Sequence, residues 1–319
     1  MLKFLHLLVP LILSALSSQA QVFRLVETET TLTVEHGSNK VLTYHKAEVA
    51  PPEGVDPIFT RSGFIHPVKS PNGATVTGIH PDDHYHHLGL WHAWVKCKID
   101  GQDVDFWNLK TGTGRVKYAK TRATSSKDTE VGFVVEQDHV AYLGEAKTPT
   151  TILREQFSIL VRLVDAAYEI DYATRQVNIS KHDLELPAYR YGGPIAYRGP
   201  ANWNNETGDY LTALGKTRMD GHTTRSHWCA MWGADETTGK DASITILCHR
   251  NNRDFPQRMR IWPPKSNNGA IFFNYVPIQE TGWAIKSGDS STMRYRLVVE
   301  DQKPDKEGLN ARWNRYCRP

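Results

Sequence analysis

The sequence predicts an all-β protein, built as one large antiparallel β-sandwich of two sheets. Short runs rich in β-branched and aromatic residues recur from residue 22 to residue 300, and Gly, Pro, Asn or Asp separates them. A helical hydrophobic period is favoured only near residues 309–315. No linker rich in Pro, Gly or Ser divides the chain, so residues 21–319 are predicted to form a single domain.

The individual strands are predicted from apolar runs bounded by turn residues. Residues 36–39, His-Gly-Ser-Asn, are a good hairpin turn between the second and third runs. The two longest adjacent runs, 150–163 and 168–176, predict a long hairpin. In chain order, the predicted strands are residues 22–26, 31–35, 40–44, 63–68, 91–99, 104–107, 131–136, 150–163, 168–176, 227–232, 243–247, 270–275 and 293–300.

Residues 1–20 are typical of a secretory signal peptide. Lys3 supplies a positive charge, residues 5–16 form an apolar stretch, and Ser18-Gln19-Ala20 is a small-residue cleavage site. The apolar stretch is shorter than the ~20 residues that a membrane-spanning helix needs. We therefore expect an exported protein, periplasmic or extracellular, with no membrane span and a mature chain that begins at Gln21.

The charge balance gives no sign of a polyanionic partner. The chain has 38 Lys and Arg against 35 Asp and Glu, a formal net charge of +3, and no basic block. A nucleic-acid partner is therefore not expected. The four cysteines, Cys97, Cys229, Cys248 and Cys317, show no zinc-ligand spacing, and free thiols and one disulfide both stay open. Nothing in the sequence predicts the oligomeric state.

A histidine-rich stretch is the main candidate for a functional site. Imidazole titrates near neutrality and is the commonest metal ligand, so this stretch concentrates acid–base and ligand capacity. If the chain were extended here, His84, His86 and His92 would lie on one side and His87 on the other. A polar turn before a core strand is the alternative. The stretch runs from residue 80 to residue 94 and holds five of the fourteen histidines, His80, His84, His86, His87 and His92.

The segment Pro81-Asp82-Asp83-His84-Tyr85-His86-His87-Leu88-Gly89 is the most distinctive motif of the chain. Residues 64–68, 71–73, 105–107, 191–193, 249–252 with Pro256, 295–297, and Arg198 accompany it. Together these segments resemble a secreted bacterial family described as PmoA-like or "methane oxygenase PmoA", and the resemblance covers nearly the whole mature chain. It implies a place in exported carbohydrate-degradation systems and a sandwich similar to the galactose-mutarotase-like supersandwich.

The candidate catalytic residues are assigned by the chemistry that a sugar site needs. A histidine near neutrality serves as acid or base, a carboxylate orients its ring, and an arginine stabilises a carboxylate or a developing enolate. The catalytic candidates are His84, His87, Asp83, Arg198 and His249. The substrate-binding candidates are His66, Trp107, Arg190, Tyr191 and Asn252. Trp107 is favoured as an aromatic platform because residues 105–107 return by a hairpin towards the histidine stretch.

A metal competes directly with acid–base chemistry at these histidines. The candidate ligands for one divalent transition metal are His84, His86, His87 and His92, and imidazole nitrogen alone does not select zinc, copper or iron. A membrane-bound methane oxygenase needs several spanning helices, which the sequence does not offer. Copper enzymes that attack polysaccharides use an N-terminal histidine, whereas the mature chain is predicted to begin at Gln21.

These observations favour an exported carbohydrate-active enzyme of the lyase or hydrolase type. Its histidine cluster would perform acid–base or metal-assisted chemistry on a glycan or a sugar-derived small molecule. Elimination next to a carbonyl or carboxylate suits a histidine base, since no paired Asp/Glu motif stands out. A non-catalytic glycan-binding protein and a copper-dependent oxidoreductase are the two alternatives.

Overall fold

The computed structural model describes residues 22–318, and its regular structure is almost entirely β. The one α-helix in this part of the chain, α1, spans Lys306–Tyr316, as the helical period near residues 309–315 predicts. The proposed signal peptide lies outside the described residues. The strands are β1 Phe23–Glu27, β2 Thr31–His36, β3 Asn39–His45, β4 Phe64–Val68, β5 Leu90–Ala93, β6 Cys97–Ile99, β7 Gln102–Val104, β8 Gly114–Lys127, β9 Glu130–Leu143, β10 Thr148–Val164, β11 Ala167–Asn178, β12 Leu184–Leu186, β13 Gly193–Arg198, β14 Gly208–Thr212, β15 Trp228–Ala234, β16 Asp241–Cys248, β17 Arg258–Ile261, β18 Phe272–Val276, β19 Trp283–Ile285 and β20 Ser290–Glu300.

Two eight-stranded antiparallel sheets make the body of the molecule, which confirms the predicted all-β sandwich. The first sheet has the order β1-β2-β3-β4-β5-β13-β18-β17, and the second has the order β14-β15-β16-β20-β11-β10-β9-β8. Side chains from both sheets form one continuous apolar core, in which Tyr44 of β3 stacks on Phe157 of β10 at 6.0 Å between ring centroids. A small third sheet, β19-β12-β6-β7, was not predicted.

The long hairpin β10–β11 shows how the sequence pattern selects the second sheet. Phe157, Ile159 and Val161 are buried in alternation with more exposed residues, as expected of a strand with one face on a core. The turn joins Val164 to Ala167, and Asp165 and Ala166 take positive φ values there. The predicted hairpin is therefore confirmed, and both strands are longer than predicted.

Residues 91–99 form two strands rather than the single predicted one. β5 ends at Ala93 in the first sheet, and β6 begins at Cys97 in the small sheet. Between them Lys96 has φ +48°, a left-handed conformation that breaks an extended strand. The apolar run alone could not reveal this break, because it continues without a Gly or Pro.

The cysteines and the helix add two further findings. All four cysteines are free, buried thiols. Helix α1 begins after Asp305, whose carboxylate accepts hydrogen bonds from the backbone N–H groups of Glu307 and Gly308. Within residues 22–318, no helix is long and apolar enough to cross a membrane.

A buried carboxylate links the two sheets. Glu155 of β10 is fully buried, and it accepts hydrogen bonds from His92 of β5 at 3.1 Å and from His139 of β9 at 2.8 Å. Arg61 is also fully buried; burial lowers its pKa to about 10, and the charge of Glu155 opposes that shift. Arg61 therefore stays charged at neutral pH and supplies the balancing positive charge.

The pKa of Glu155 lies below its usual range. Burial alone would raise it, but the contacts from His92 and His139 outweigh the effect of burial. A carboxylate whose pKa is depressed on folding stabilises the protein above its unfolded pKa of about 4.3. That contribution is lost as the pH falls through the folded pKa.

We predict that Glu155→Gln lowers the free energy of unfolding at pH 7 by about 1–3 kcal/mol, because it removes the charged acceptor of two buried hydrogen bonds, from His92 and His139. Urea unfolding measures this change, with the exposed Glu206→Gln as the matched control, expected within about 0.5 kcal/mol of the wild type. The difference from the wild type should shrink as the pH falls below about 4. A Glu155→Gln protein as stable as the control at pH 7 would contradict the assignment.

Candidate functional site

Residues 80–87 form a closed polar loop rather than an extended strand. Two successive turns are held by the hydrogen bonds from His84 N to Pro81 O and from His87 N to His84 O, each 2.9 Å. His80 N closes the loop by donating to His87 O at 2.9 Å. Gly89 follows with φ +63°, and a Cβ there would lie 2.4 Å from the carbonyl oxygen of Ile65. Only glycine therefore fits this close approach.

The turns bring three histidine rings together. The ring centroids of His84 and His87 are 4.6 Å apart, those of His86 and His87 are 4.7 Å apart, and those of His84 and His86 are 5.4 Å apart. The prediction that His87 would lie on the opposite side from His84 and His86 is wrong, because it assumed the two-residue alternation of a strand. Tight turns have no such alternation.

Asp83 connects this loop to the first sheet. Arg198, at the end of β13, donates two hydrogen bonds to its carboxylate, at 2.8 Å and 3.2 Å. Only 6% of the Arg198 side chain is exposed against 24% of the Asp83 side chain, so the buried arginine holds a carboxylate that remains partly in solvent. Burial alone would raise the pKa of Asp83, but His84 and Arg198 outweigh that effect and lower it. Asp83 is therefore an anion at neutral pH.

The same carboxylate orients His84. Nδ1 of His84 lies 3.1 Å from Oδ2 of Asp83 and is buried. The contact is electrostatic rather than a well-aligned hydrogen bond, yet a carboxylate at this distance favours the tautomer with the proton on Nδ1. Nε2 of His84 is then the unprotonated nitrogen that is left for a ligand.

His86 and His87 are neutral imidazoles at physiological pH. Burial lowers the pKa of His86 to about 3, and burial also holds the pKa of His87 well below its usual value. The ring of His87 stacks on Phe272 at 4.9 Å, and Nη1 of Arg198 lies 3.5 Å from its Nδ1. His87 therefore forms part of the floor of the site.

These groups surround a cavity of about 110 Å³ on the face of the first sheet that is turned away from the second. On β5, Trp91 contacts His87 on this face, while the next residue, His92, points to Glu155 on the other. The residues that line the cavity are His84, His86, His87, Trp107, Asn108, Arg190, Tyr191, Arg260, Trp262 and Phe272.

The aromatic walls are fixed by the strands and by one polar turn. Trp262 follows β17 and packs on Phe272 of the neighbouring β18 at 4.8 Å. The carboxylate of Asp105 accepts hydrogen bonds from the backbone N–H groups of Trp107 and Asn108, at 2.9 Å and 2.7 Å. The side-chain amide of Asn108 in turn donates to the hydroxyl of Tyr191 at 3.1 Å. Trp107 is only 1% exposed, so it is a floor rather than an open platform.

Most of the residues predicted from the sequence meet at this cavity. His84, His86, His87, Trp107, Arg190 and Tyr191 line it, whereas Asp83 and Arg198 do not line it but contact His84 and His87 respectively. The residues that the sequence did not single out are Asn108, Phe272 and Arg260. The alternation Arg258-Met259-Arg260-Ile261-Trp262 could have revealed Arg260, because it places Arg260 on the same strand face as Trp262.

Three other predicted residues contact different parts of the chain. His66 Nδ1 lies 2.9 Å from the hydroxyl of Thr77, and burial lowers its pKa to about 4. His249 packs on Tyr316 of α1 at 5.2 Å. Asn252 exchanges hydrogen bonds with the backbone of Arg294. None of the three lines the cavity described above, and their proposed roles stay predictions.

His92 belongs to a separate group of possible metal ligands. Within residues 22–318, His92, His139 and Glu155 are the one group of three such donors whose ligand atoms lie within 4.8 Å of one another. The protons of this group can be assigned from its neighbours. Trp94 Nε1 can only donate, so it fixes Oε1 of Gln176 as the acceptor, at 2.8 Å.

The amide NH₂ of Gln176 therefore faces Nε2 of His92, at 2.6 Å. This contact places the ring proton of His92 on Nδ1, which donates to Glu155. A metal would need that nitrogen free of its proton. The group therefore fits a hydrogen-bonded network that joins the two sheets better than it fits a metal site.

Comparisons with known proteins agree with an all-β sandwich. A family model described as "Family of unknown function (DUF6807)" matches residues 31–314. No curated protein matches the chain in sequence. A galactose mutarotase-like protein from Clostridium acetobutylicum is similar in structure, with a TM-score of 0.46 and 10% identity over 89% of this chain and 100% of that chain.

Two further solved structures are similar to this chain. A putative aldose 1-epimerase from Klebsiella pneumoniae has a TM-score of 0.44 and 12% identity, and the match covers 89% of this chain and 83% of that chain. A galactose mutarotase-like protein from Lactobacillus casei has a TM-score of 0.40 and 9% identity, over 87% of this chain and 100% of that chain.

We predict that His86 remains neutral from pH 5 to pH 8, because burial lowers its pKa to about 3. Nuclear magnetic resonance of ¹⁵N-labelled histidine measures the protonation of each ring, and the His86→Asn variant identifies the His86 signal. The signal should keep the shifts of a neutral imidazole across this range. A titration midpoint near the unperturbed value of about 6.5 would show that His86 is solvated.

Proposed function

The chain belongs to the DUF6807 family of unknown function, and we propose that it is a carbohydrate-active enzyme of the lyase type that uses His84 as its base. The observation that carries this proposal is the arrangement of Asp83, His84 and Arg198. A buried arginine fixes a carboxylate, and that carboxylate faces Nδ1 of a histidine in a cavity wall. This is how proteins orient an imidazole for proton transfer.

The walls of the cavity favour a small polar ring as the ligand. Indole and phenol groups combine an apolar face with a polar edge, which suits the mixed surface of a sugar. The cavity of about 110 Å³ is smaller than the roughly 300–1,000 Å³ of pockets that enclose a drug-sized molecule. It therefore fits one sugar residue, either a monosaccharide or the end of a chain.

The titratable side chains of the cavity favour elimination over hydrolysis. They are imidazoles, guanidinium groups and the phenol of Tyr191, and Asp83 is already engaged by Arg198. Hydrolysis of a glycoside in most enzymes uses two carboxyl groups on opposite sides of the bond. A single oriented imidazole suits removal of a proton from carbon.

The elimination step can be written in full. Nε2 of His84 takes the proton from the carbon next to a carbonyl or carboxylate. The electrons of that C–H bond form a C=C bond to the neighbouring carbon. The bond from that neighbouring carbon to the glycosidic oxygen breaks, the departing oxygen takes a proton from water, and the hydroxide that remains takes the proton back from Nε2 of His84. No oxidant or reductant is required.

Export stays part of the proposal, since residues 1–20 lie outside the described residues. The glycan-binding alternative would need the aromatic walls but not an oriented base. The copper-dependent alternative stays a hypothesis; within residues 22–318, His84, His86 and His87 are not a group whose ligand atoms all lie within 4.8 Å of one another.

We predict that His84→Asn lowers kcat/KM by roughly 10²- to 10⁴-fold, the usual contribution of a general base. Turnover is measured on oligosaccharides of neutral and uronic sugars, from the ultraviolet absorbance of the new C=C bond beside the carboxyl group. The matched control is His182→Asn, a half-exposed histidine beside Asp100, which should keep full activity.

The two alternatives give different results in the same experiment. A wild-type protein that binds oligosaccharides of the panel but turns none over would favour the glycan-binding alternative. Full turnover by His84→Asn would show that another group is the base.

A further inference from the structure

We propose that Arg190 and Arg260 form an anion subsite that binds the carboxylate of an acidic sugar, so that the substrate is a uronic acid or a glycan that contains one. This inference rests on the proposed function, because it names the substrate class of the same cavity. We call these two residues the arginine pair. Both line the cavity, Arg260 from β17 and Arg190 from the segment before β13.

The arginine pair differs from the other arginines around it in having no acidic partner. Arg198 is paired with Asp83, and Arg225 and Arg258 share Glu280. Arg258 lies only two residues before Arg260 on the same strand. Within residues 22–318, neither Arg190 nor Arg260 has a carboxylate within 4.0 Å. The cavity therefore has two positive charges that no side chain of the described protein neutralises.

The two guanidinium groups are held against one aromatic ring. The guanidinium carbons of Arg260 and Arg190 lie 5.2 Å and 5.7 Å from the ring centroid of Tyr191. The hydrogen bond from Asn108, itself held by Asp105, fixes the hydroxyl of Tyr191. Arg260 is half-buried, whereas Arg190 is exposed, so Tyr191 positions both guanidinium groups while Arg190 remains in contact with solvent.

The guanidinium groups of Arg190 and Arg260 repel each other, and a bound anion would offset that repulsion. Burial lowers the pKa of Arg260, and the charge of Arg190 lowers it further. A bound carboxylate would reverse the second effect. Guanidinium groups also match the planar geometry of a carboxylate with paired N–H donors.

The position of the pair agrees with the chemistry proposed for His84. Elimination needs an acidic C–H bond beside a carbonyl or carboxylate, and positive charge stabilises the developing enolate. In a cavity of about 110 Å³, a carboxylate held by the arginine pair keeps its neighbouring carbon in the space that His84 lines. A sulfate ester would bind the same charges but would not acidify that bond as a carboxylate does.

Binding is measured by titration calorimetry with D-glucuronate and D-galacturonate, with D-glucose and D-galactose as the neutral counterparts. We expect the wild type to bind at least one acid tenfold or more tightly than its neutral counterpart. Arg190→Gln/Arg260→Gln should weaken acid binding roughly ten- to hundredfold, because each charge-assisted hydrogen bond is lost. Arg260→Lys keeps the charge but loses the paired donors, and it should give an intermediate loss.

The matched control is Arg250→Gln, an exposed arginine beyond β16, which should bind the acids like the wild type. Circular dichroism confirms that each variant is folded. Added salt should weaken the binding of the acids and not that of the neutral sugars.

The inference is overturned if the wild type binds no acid, if acids and neutral sugars bind equally, or if the double variant binds the acids unchanged. Tighter binding of D-galactose 6-sulfate than of either acid would overturn the assignment to a carboxylate. His84→Asn separates this inference from the proposed function. If it keeps acid binding and also keeps turnover, the proposed base is wrong while the anion subsite stands.

Discussion

The pair formed by Arg198 and Asp83 is the interaction on which the site depends. Asp83 belongs to a loop made of turns, and a loop has no ladder of hydrogen bonds to fix its side chains. Arg198 ends a strand of the first sheet and is almost fully buried, so its two hydrogen bonds give the loop a rigid reference. Through that carboxylate the orientation of His84 follows from the sheet. The orientation of His84 can therefore stay defined although the loop that carries it has an irregular backbone.

Strand β5 contributes side chains to two separate groups of residues, the cavity wall and the interior network around Glu155. Its side chains alternate, so Trp91 supports the cavity while His92 reaches Glu155 in the interior. The interior network joins the two sheets and is closed by Trp94 and Gln176, which leave no nitrogen of His92 unused. The cavity keeps two arginines unpaired. Two buried atoms beside the interior network, Nδ1 of His139 and Nη1 of Arg61, have no hydrogen-bond partner, so that network is only partly satisfied.

The sequence predicted the sandwich because period-two alternation and turn residues are local signals. It also located most of the candidate site, since Asp83, His84, His86 and His87 lie within five residues of the chain. It failed where geometry depends on contacts between distant strands. The grouping of His92 with His139 and Glu155 needs β5 of the first sheet to pack on β9 and β10 of the second, and the proposed role of Arg260 needs β17 beside the loop. For residues 80–87 the sequence left an extended chain and a polar turn as alternatives, and the structure has the turns.

The central claim is that this cavity removes a proton from the carbon beside a sugar carboxylate. Proton nuclear magnetic resonance of a uronic oligosaccharide, incubated with the protein in D₂O, tests it directly. The account predicts that the signal of the hydrogen beside the carboxylate disappears, that an alkene signal appears at the same rate, and that neither change occurs with His84→Asn. A cleaved product that retains that hydrogen, or an oligosaccharide left intact by the wild type across the uronic panel, would contradict it.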